Sequence, residues 1–68
     1  MFIPFEKISN SSRIWIYQSD KEFSQDDIKY INDELILFCN NWIAHKNKLL
    51  SSFTIKLNYF IILAVDET

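Results

Sequence analysis

The sequence predicts an α+β fold: a β-α-β-β unit in which one long helix packs on a three-stranded, mainly antiparallel sheet. Three observations predict it. Residues 13–18 form a β-branched and aromatic run of strand length. Ile28, Ile31, Leu35, Phe38 and Trp42 then recur at spacings of 3, 4, 3 and 4, which is a helical stripe. Finally, residues 52–57 and 60–65 are two strand-like runs separated by Asn58-Tyr59.

Taken in order, residues 1–12 read as an irregular lead-in, with Pro4 fixing its local backbone and Asn10-Ser11-Ser12 as a turn. The first strand, Arg13 to Gln18, stops at the polar group Ser19-Asp20-Lys21-Glu22. Ser24 is placed as a helix N-cap, and Asp26 and Asp27 lie where carboxylates favour the positive end of the helix dipole. Phe23 and Ile28 have the spacing of a hydrophobic staple across that cap. The stripe predicts a helix from about Gln25 to His45, ending among the cations His45, Lys46 and Lys48. Ile36, Leu37, Cys39 and Ile43 widen its apolar sector beyond what one sheet face requires, so a second neighbour is expected.

Ser52 to Leu57 alternates as a half-buried second strand, and Phe60 to Val65 is nearly all apolar, as a third strand covered on both faces would be. A two-residue turn at Asn58-Tyr59 sets Leu57 opposite Phe60, Ile55 opposite Ile62 and Phe53 opposite Ala64. In that register Phe53, Ile55, Leu57, Phe60, Ile62 and Ala64 meet the helix with Ile14 and Ile16. The opposite face carries Arg13, Trp15, Tyr17, Thr54, Lys56, Ile61, Leu63 and Val65. So much apolar surface on a wet face implies a covering partner.

Composition excludes several function classes. With 68 residues the chain holds one small domain whose core is marginal without staples. One cysteine cannot form an intramolecular disulfide, and one His with one Cys cannot build a four-ligand zinc site. The absence of glycine excludes phosphate loops, dinucleotide fingerprints and nucleophile elbows within these residues. A net charge of -2 gives no basic excess to neutralise phosphates, so nucleic acid is not an expected partner. The start has no basic leader, and the apolar run from Tyr59 to Val65 is far short of the roughly 20 residues of a membrane helix. A cytoplasmic location and no membrane insertion are therefore expected.

Phe5, the run Arg13 to Gln18, Trp42 with Ala44-His45, and Asn58 followed by Phe60 to Glu67 resemble a small bacterial family of uncharacterised proteins commonly labelled ABC transporter ATPase. The resemblance spans essentially the whole chain. It implies a parent about twice as long, continuing into a second helix and further strands, so that these residues form the first part of a ferredoxin-like, split βαβ arrangement. It also implies, as an alternative function, a nucleotide-linked role. Ile62-Leu63-Ala64-Val65-Asp66-Glu67 imitates a Walker B strand, although the partner phosphate loop is excluded by the missing glycine.

Weighed singly, His45 fits a helix-end cation better than a catalyst, and Cys39 fits a small buried hydrophobe better than a nucleophile. Asp66 and Glu67 sit where a strand opens into a loop; with His45 they are the weak functional candidates. The strand aromatics invite comparison with base-stacking sheets, but their neighbours Ile61, Leu63 and Val65 are aliphatic and suit protein burial better. The expected function is a non-enzymatic assembly or interaction domain with no cofactor or metal. Its interface candidates are Arg13, Trp15, Tyr17, Lys56, Ile61, Leu63 and Val65. The expected partner is another copy, or the remainder of its own parent chain.

Overall fold

The computed structural model describes residues 1–44 and 47–66. It is an α+β unit with one helix and a three-stranded antiparallel sheet, a ferredoxin-like type of arrangement. The main elements are β1 (Arg13–Gln18), α1 (Gln25–Asn40), β4 (Leu50–Lys56) and β5 (Phe60–Asp66). Between α1 and β4, β2 (Ile43–Ala44) and β3 (Asn47–Lys48) form a small antiparallel ladder. The sheet order is β1-β5-β4, with β5 antiparallel to both neighbours. β1 and β4 therefore run in the same direction on either side of β5, which is the split βαβ topology.

β1 has the bounds its sequence predicts. The helix starts as expected too: Ser24 Oγ accepts from the Asp27 amide, and Asp27 Oδ2 accepts from the Ser24 amide at 2.9 Å. This reciprocal capping box satisfies two of the amides a helix start leaves orphaned. The helix ends at Asn40, short of the expected His45, and Ile43 belongs to β2 instead. Asn41 Nδ2 donates to the Leu37 carbonyl, and the Met1 ammonium donates to the carbonyls of Cys39 and Leu49. With its last carbonyls taken by these donors, and with asparagine a poor continuer, α1 stops although the apolar spacing runs on.

The hairpin between β4 and β5 also departs from expectation. Its turn spans Leu57, Asn58 and Tyr59, with Leu57 and Asn58 at φ 56° and 58°, and the Tyr59 amide bonds Lys56 O at 3.1 Å. Lys56 faces Phe60, Ile55 faces Ile61 and Phe53 faces Leu63, a one-residue shift from the predicted register. Because side chains alternate with a period of two, that shift moves all of β5 to the other face relative to β4. The shift is anchored from outside, since Asn58 O and Tyr59 O accept from the amides of Phe23 and Ser19 in the β1–α1 connection. Leu57 leaves the strand and is 81% exposed.

The helix consequently packs on the face that holds Phe53 and Ile55 of β4, Ile61, Leu63 and Val65 of β5, and Trp15 and Tyr17 of β1. The outer face holds Ile14, Ile16, Phe60, Ile62 and Ala64, five of the eight residues expected to meet the helix; Phe53 and Ile55 do meet it, and Leu57 lies in the turn. The lead-in covers part of that outer face, where Phe5 and Ile8 share a cleft with Ile14 and the buried Ala64. Met1 to Ile3 runs parallel to the free edge of β4, with Ser51 bonding Met1 and Ile3 through both its backbone groups. The core gathers on this side: Cys39, Ser51, Ser52, Phe53, Ala64 and Val65 are buried. No helix among the described residues is long and apolar enough to cross a membrane.

Candidate functional site

The register brings six of the seven interface candidates together in cross-strand pairs. Arg13 lies opposite Val65, Trp15 opposite Leu63 and Tyr17 opposite Ile61. They share one face, but it is the face that bears α1, not a bare one. Lys56 pairs with Phe60 and projects on the outer face, apart from the other six. Asp66 ends β5 opposite Leu50, also on the outer face, and His45 and Glu67 lie outside the described residues.

Sharing a face with the helix has not buried these residues equally. The helix sits over β4, where Ser51 Oγ donates to Cys39 O at 3.2 Å and Phe2 stacks on Phe53 with ring centroids 5.5 Å apart. Val65 is buried, whereas Tyr17 is 66% exposed. Between the helix and β1 lies an open cleft of about 330 Å³ lined by Tyr17, Tyr30, Ile31, Leu35, Ile61 and Leu63. Glu34 stands at its side.

At the other end of β1 an aromatic ladder links strand to helix terminus. The Arg13 guanidinium lies 5.9 Å from the Trp15 ring centroid, Trp15 is 5.9 Å from Trp42, and Trp42 is 5.1 Å from Phe38. Tilted pairs of this kind each stabilise by about 0.5–1.5 kcal/mol beyond burial. The ladder ties Trp15 down, and Tyr17 has no such tie.

Two residues that the sequence assigned elsewhere complete the exposed surface. Ile14 and Ile16, expected under the helix, are 52% and 66% exposed on the outer face. Every residue of β1 is exposed, on both faces of the sheet. Alternation alone marks both sides of this strand as apolar. Which side the helix takes depends on the turn at 57–59, whose geometry leaves no periodic signal.

The titratable groups carry little chemistry. Hydrogen bonding from Ser24, first through its amide and then its hydroxyl, holds the Asp27 carboxyl below the ordinary value of 3.8. Burial pushes the Cys39 thiol up, against smaller opposing effects of the Ser51 hydroxyl and the amino terminus, and so keeps it protonated and unreactive. Among the described residues no group of three or more His, Cys, Asp or Glu side chains is placed to hold a metal. No protein-family model, curated protein or solved structure matches this chain.

Proposed function

We propose that this chain is a non-enzymatic assembly domain that self-associates through the aromatic and aliphatic surface around β1. The observation that supports it is the strand itself: six exposed residues at a sheet edge, apolar on one face through Ile14 and Ile16 and aromatic on the other through Trp15 and Tyr17. Contiguous apolar surface of this kind is where soluble proteins meet partners. Sedimentation across a dilution series tests it. A dimer or larger species is expected, and Ile16→Lys should return it to a folded monomer, because that side chain is two-thirds exposed at 66%. A monomer at every concentration sinks the reading.

The nucleotide-linked alternative has less in its favour. Its one described acid, Asp66, ends a strand, and the glycine-free sequence has no loop to wrap a phosphate. Titration with Mg-ATP should give no heat.

A further inference from the structure

Resting on the assembly reading above, we infer that the occupant of the β1 edge is β1 of a second copy, paired antiparallel about a two-fold axis that passes beside Trp15 and joins two sheets into one of six strands.

The backbone supplies the first argument. Ser19 N donates to Tyr59 O at 2.7 Å, and Ser19 continues β1 in the register that pairs Tyr17 with Ile61. Antiparallel ladders alternate bonded and non-bonded pairs, so Arg13, Trp15 and Tyr17 bond to β5. The amides and carbonyls of Ile14, Ile16 and Gln18 then point to the outer edge, where β1 has no strand neighbour among the described residues. Natural edges are usually blunted by Pro, Lys, a bulge, an inward charge or a covering segment. β4 has the last of these in Met1–Ile3, while β1 contains neither Pro nor Lys, and its one charge on the helix-bearing face, Arg13, sits at the first residue of the strand over the Trp15 ring.

Side chains choose the register. A two-fold axis perpendicular to the sheet pairs only residues of the same parity. With the axis beside Trp15, the partner's Trp15 faces Trp15, Ile14 faces the partner's Ile16, and Arg13 faces the partner's Tyr17. Each contact then joins like to like or a cation to a ring. The Trp15 pair falls at a non-bonded position, where opposing side chains approach most closely. Shifting the axis to Ile16 sets Ile14 against Gln18. Arg13 is the only charge on the strand, and the two copies of it lie about 14 Å apart, beyond the screening length of about 8 Å.

Area supplies the third argument. The chain exposes 5208 Å², against about 4,500 Å² for a folded monomer of 8.2 kDa. The excess of about 700 Å² belongs to the whole chain, and the four large exposed side chains Ile14, Trp15, Ile16 and Tyr17 bring part of it to β1, against the roughly 800 Å² that each partner contributes to a standard interface. The radius of gyration, 12.2 Å against about 11 Å for a compact domain of 68 residues, agrees with an open shape.

Single cysteines introduced in a Cys39→Ala background and oxidised with copper-phenanthroline test the arrangement. Trp15→Cys should cross-link to dimer at least tenfold faster than Ile14→Cys or Ile16→Cys. Fastest cross-linking by Ile16→Cys would overturn the register. Because Trp15→Cys also weakens the aromatic ladder, amide exchange on the natural sequence gives an independent reading. Protection of Ile14 and Ile16 amides should rise with protein concentration. A dimer by sedimentation with those amides unprotected and no cross-link on β1 overturns the strand pairing but leaves self-association standing. Protection of those amides at dilutions where sedimentation finds only monomer means the edge is covered within one chain, which overturns the second copy as occupant. A monomer throughout overturns both.

Discussion

The two flanks of the sheet are finished differently, and not in the order of their hydrophobicity. Around β4, the helix, the Met1–Ile3 segment and the lead-in converge, and Ser51, Ser52 and Phe53 are buried in succession. Around β1, Ile14, Trp15, Ile16 and Tyr17 are as apolar as anything in β4, yet all are exposed. The difference teaches that here burial follows where α1 and the lead-in sit and what the helix end is tied to, not the hydrophobicity of the strand. Two of the ties are main-chain groups at the amino terminus: the Met1 ammonium on Cys39 O, and the Phe2 amide on Asn40 Oδ1 at 3.0 Å. A positive group there also opposes the negative end of the helix dipole.

The sharpest way to break the comparison is to truncate one aromatic on each flank. Phe53→Ala should cost about 3–4 kcal/mol, since it removes a buried ring and the face on which Phe2 packs. A chain of 68 residues has only about 3–10 kcal/mol of stability in total, so this variant should lose a third of it or more, with Phe53→Leu as the milder version at about 1 kcal/mol. Tyr17→Ala should cost under about 0.5 kcal/mol when measured at dilutions where the chain is monomeric. Urea denaturation gives both, and equal losses on the two flanks would mean that the sealed core is not where stability resides.

How much of this asymmetry the sequence carries depends on the element. β1 is legible to the residue because a β-branched and aromatic run is bounded by Ser19 and Asp20. The helix start is legible because Ser24 and Asp27 have capping-box spacing. The helix end is not, since Trp42 and Ile43 prolong the apolar spacing while the donors that stop the helix come from Met1 and Asn41, one of them 38 residues away. The hairpin register fails at Leu57, a residue that ordinarily avoids the left-handed region. The grouping of Arg13, Trp15 and Tyr17 with Ile61, Leu63 and Val65 survives, because it rests on alternation within β1 and β5. The helix lies on the expected Phe53 and Ile55 face of β4, but the faces of β5 and β1 that join it are the opposite ones, because their assignment rests on one turn.

Two adjacent serines sharpen the account of the sealed flank. Ser51 and Ser52 are both fully buried and point to opposite faces of β4. Ser51 Oγ donates to Cys39 O, so Ser51→Ala should cost about 1 kcal/mol and loosen the helix end. Ser52 Oγ has no hydrogen-bond partner. Ser52→Ala removes a desolvated hydroxyl and should be neutral or stabilising by up to about 1 kcal/mol. Thermal melts of the two variants should move in opposite directions, or the second not at all. A matched loss in both would place an unseen donor or acceptor beside Ser52.

The smallest effect separates the two ends of the helix by pH. The carboxy-terminal end is held by main-chain and amide groups, whereas the amino-terminal end leans on the exposed Asp27 carboxylate bonded to Ser24. Asp27 titrates below 3.8 in the folded chain, so its contribution is fully present above that value and is lost as pH falls through its lower folded value. Protonated Asp27 no longer offers a charged acceptor to the Ser24 amide, and the first turn should fray while Cys39 and its neighbours stay protected. Amide exchange of Ile28 and Lys29, followed from pH 5 (approximately) downward, should therefore quicken relative to that of Cys39. Asp27→Asn should abolish that pH dependence, because its side-chain oxygen accepts the same bond without a charge to lose. If Asn at this position leaves the acid response unchanged, the fraying starts elsewhere, and the capping box is not what distinguishes this end of the helix from the sealed one.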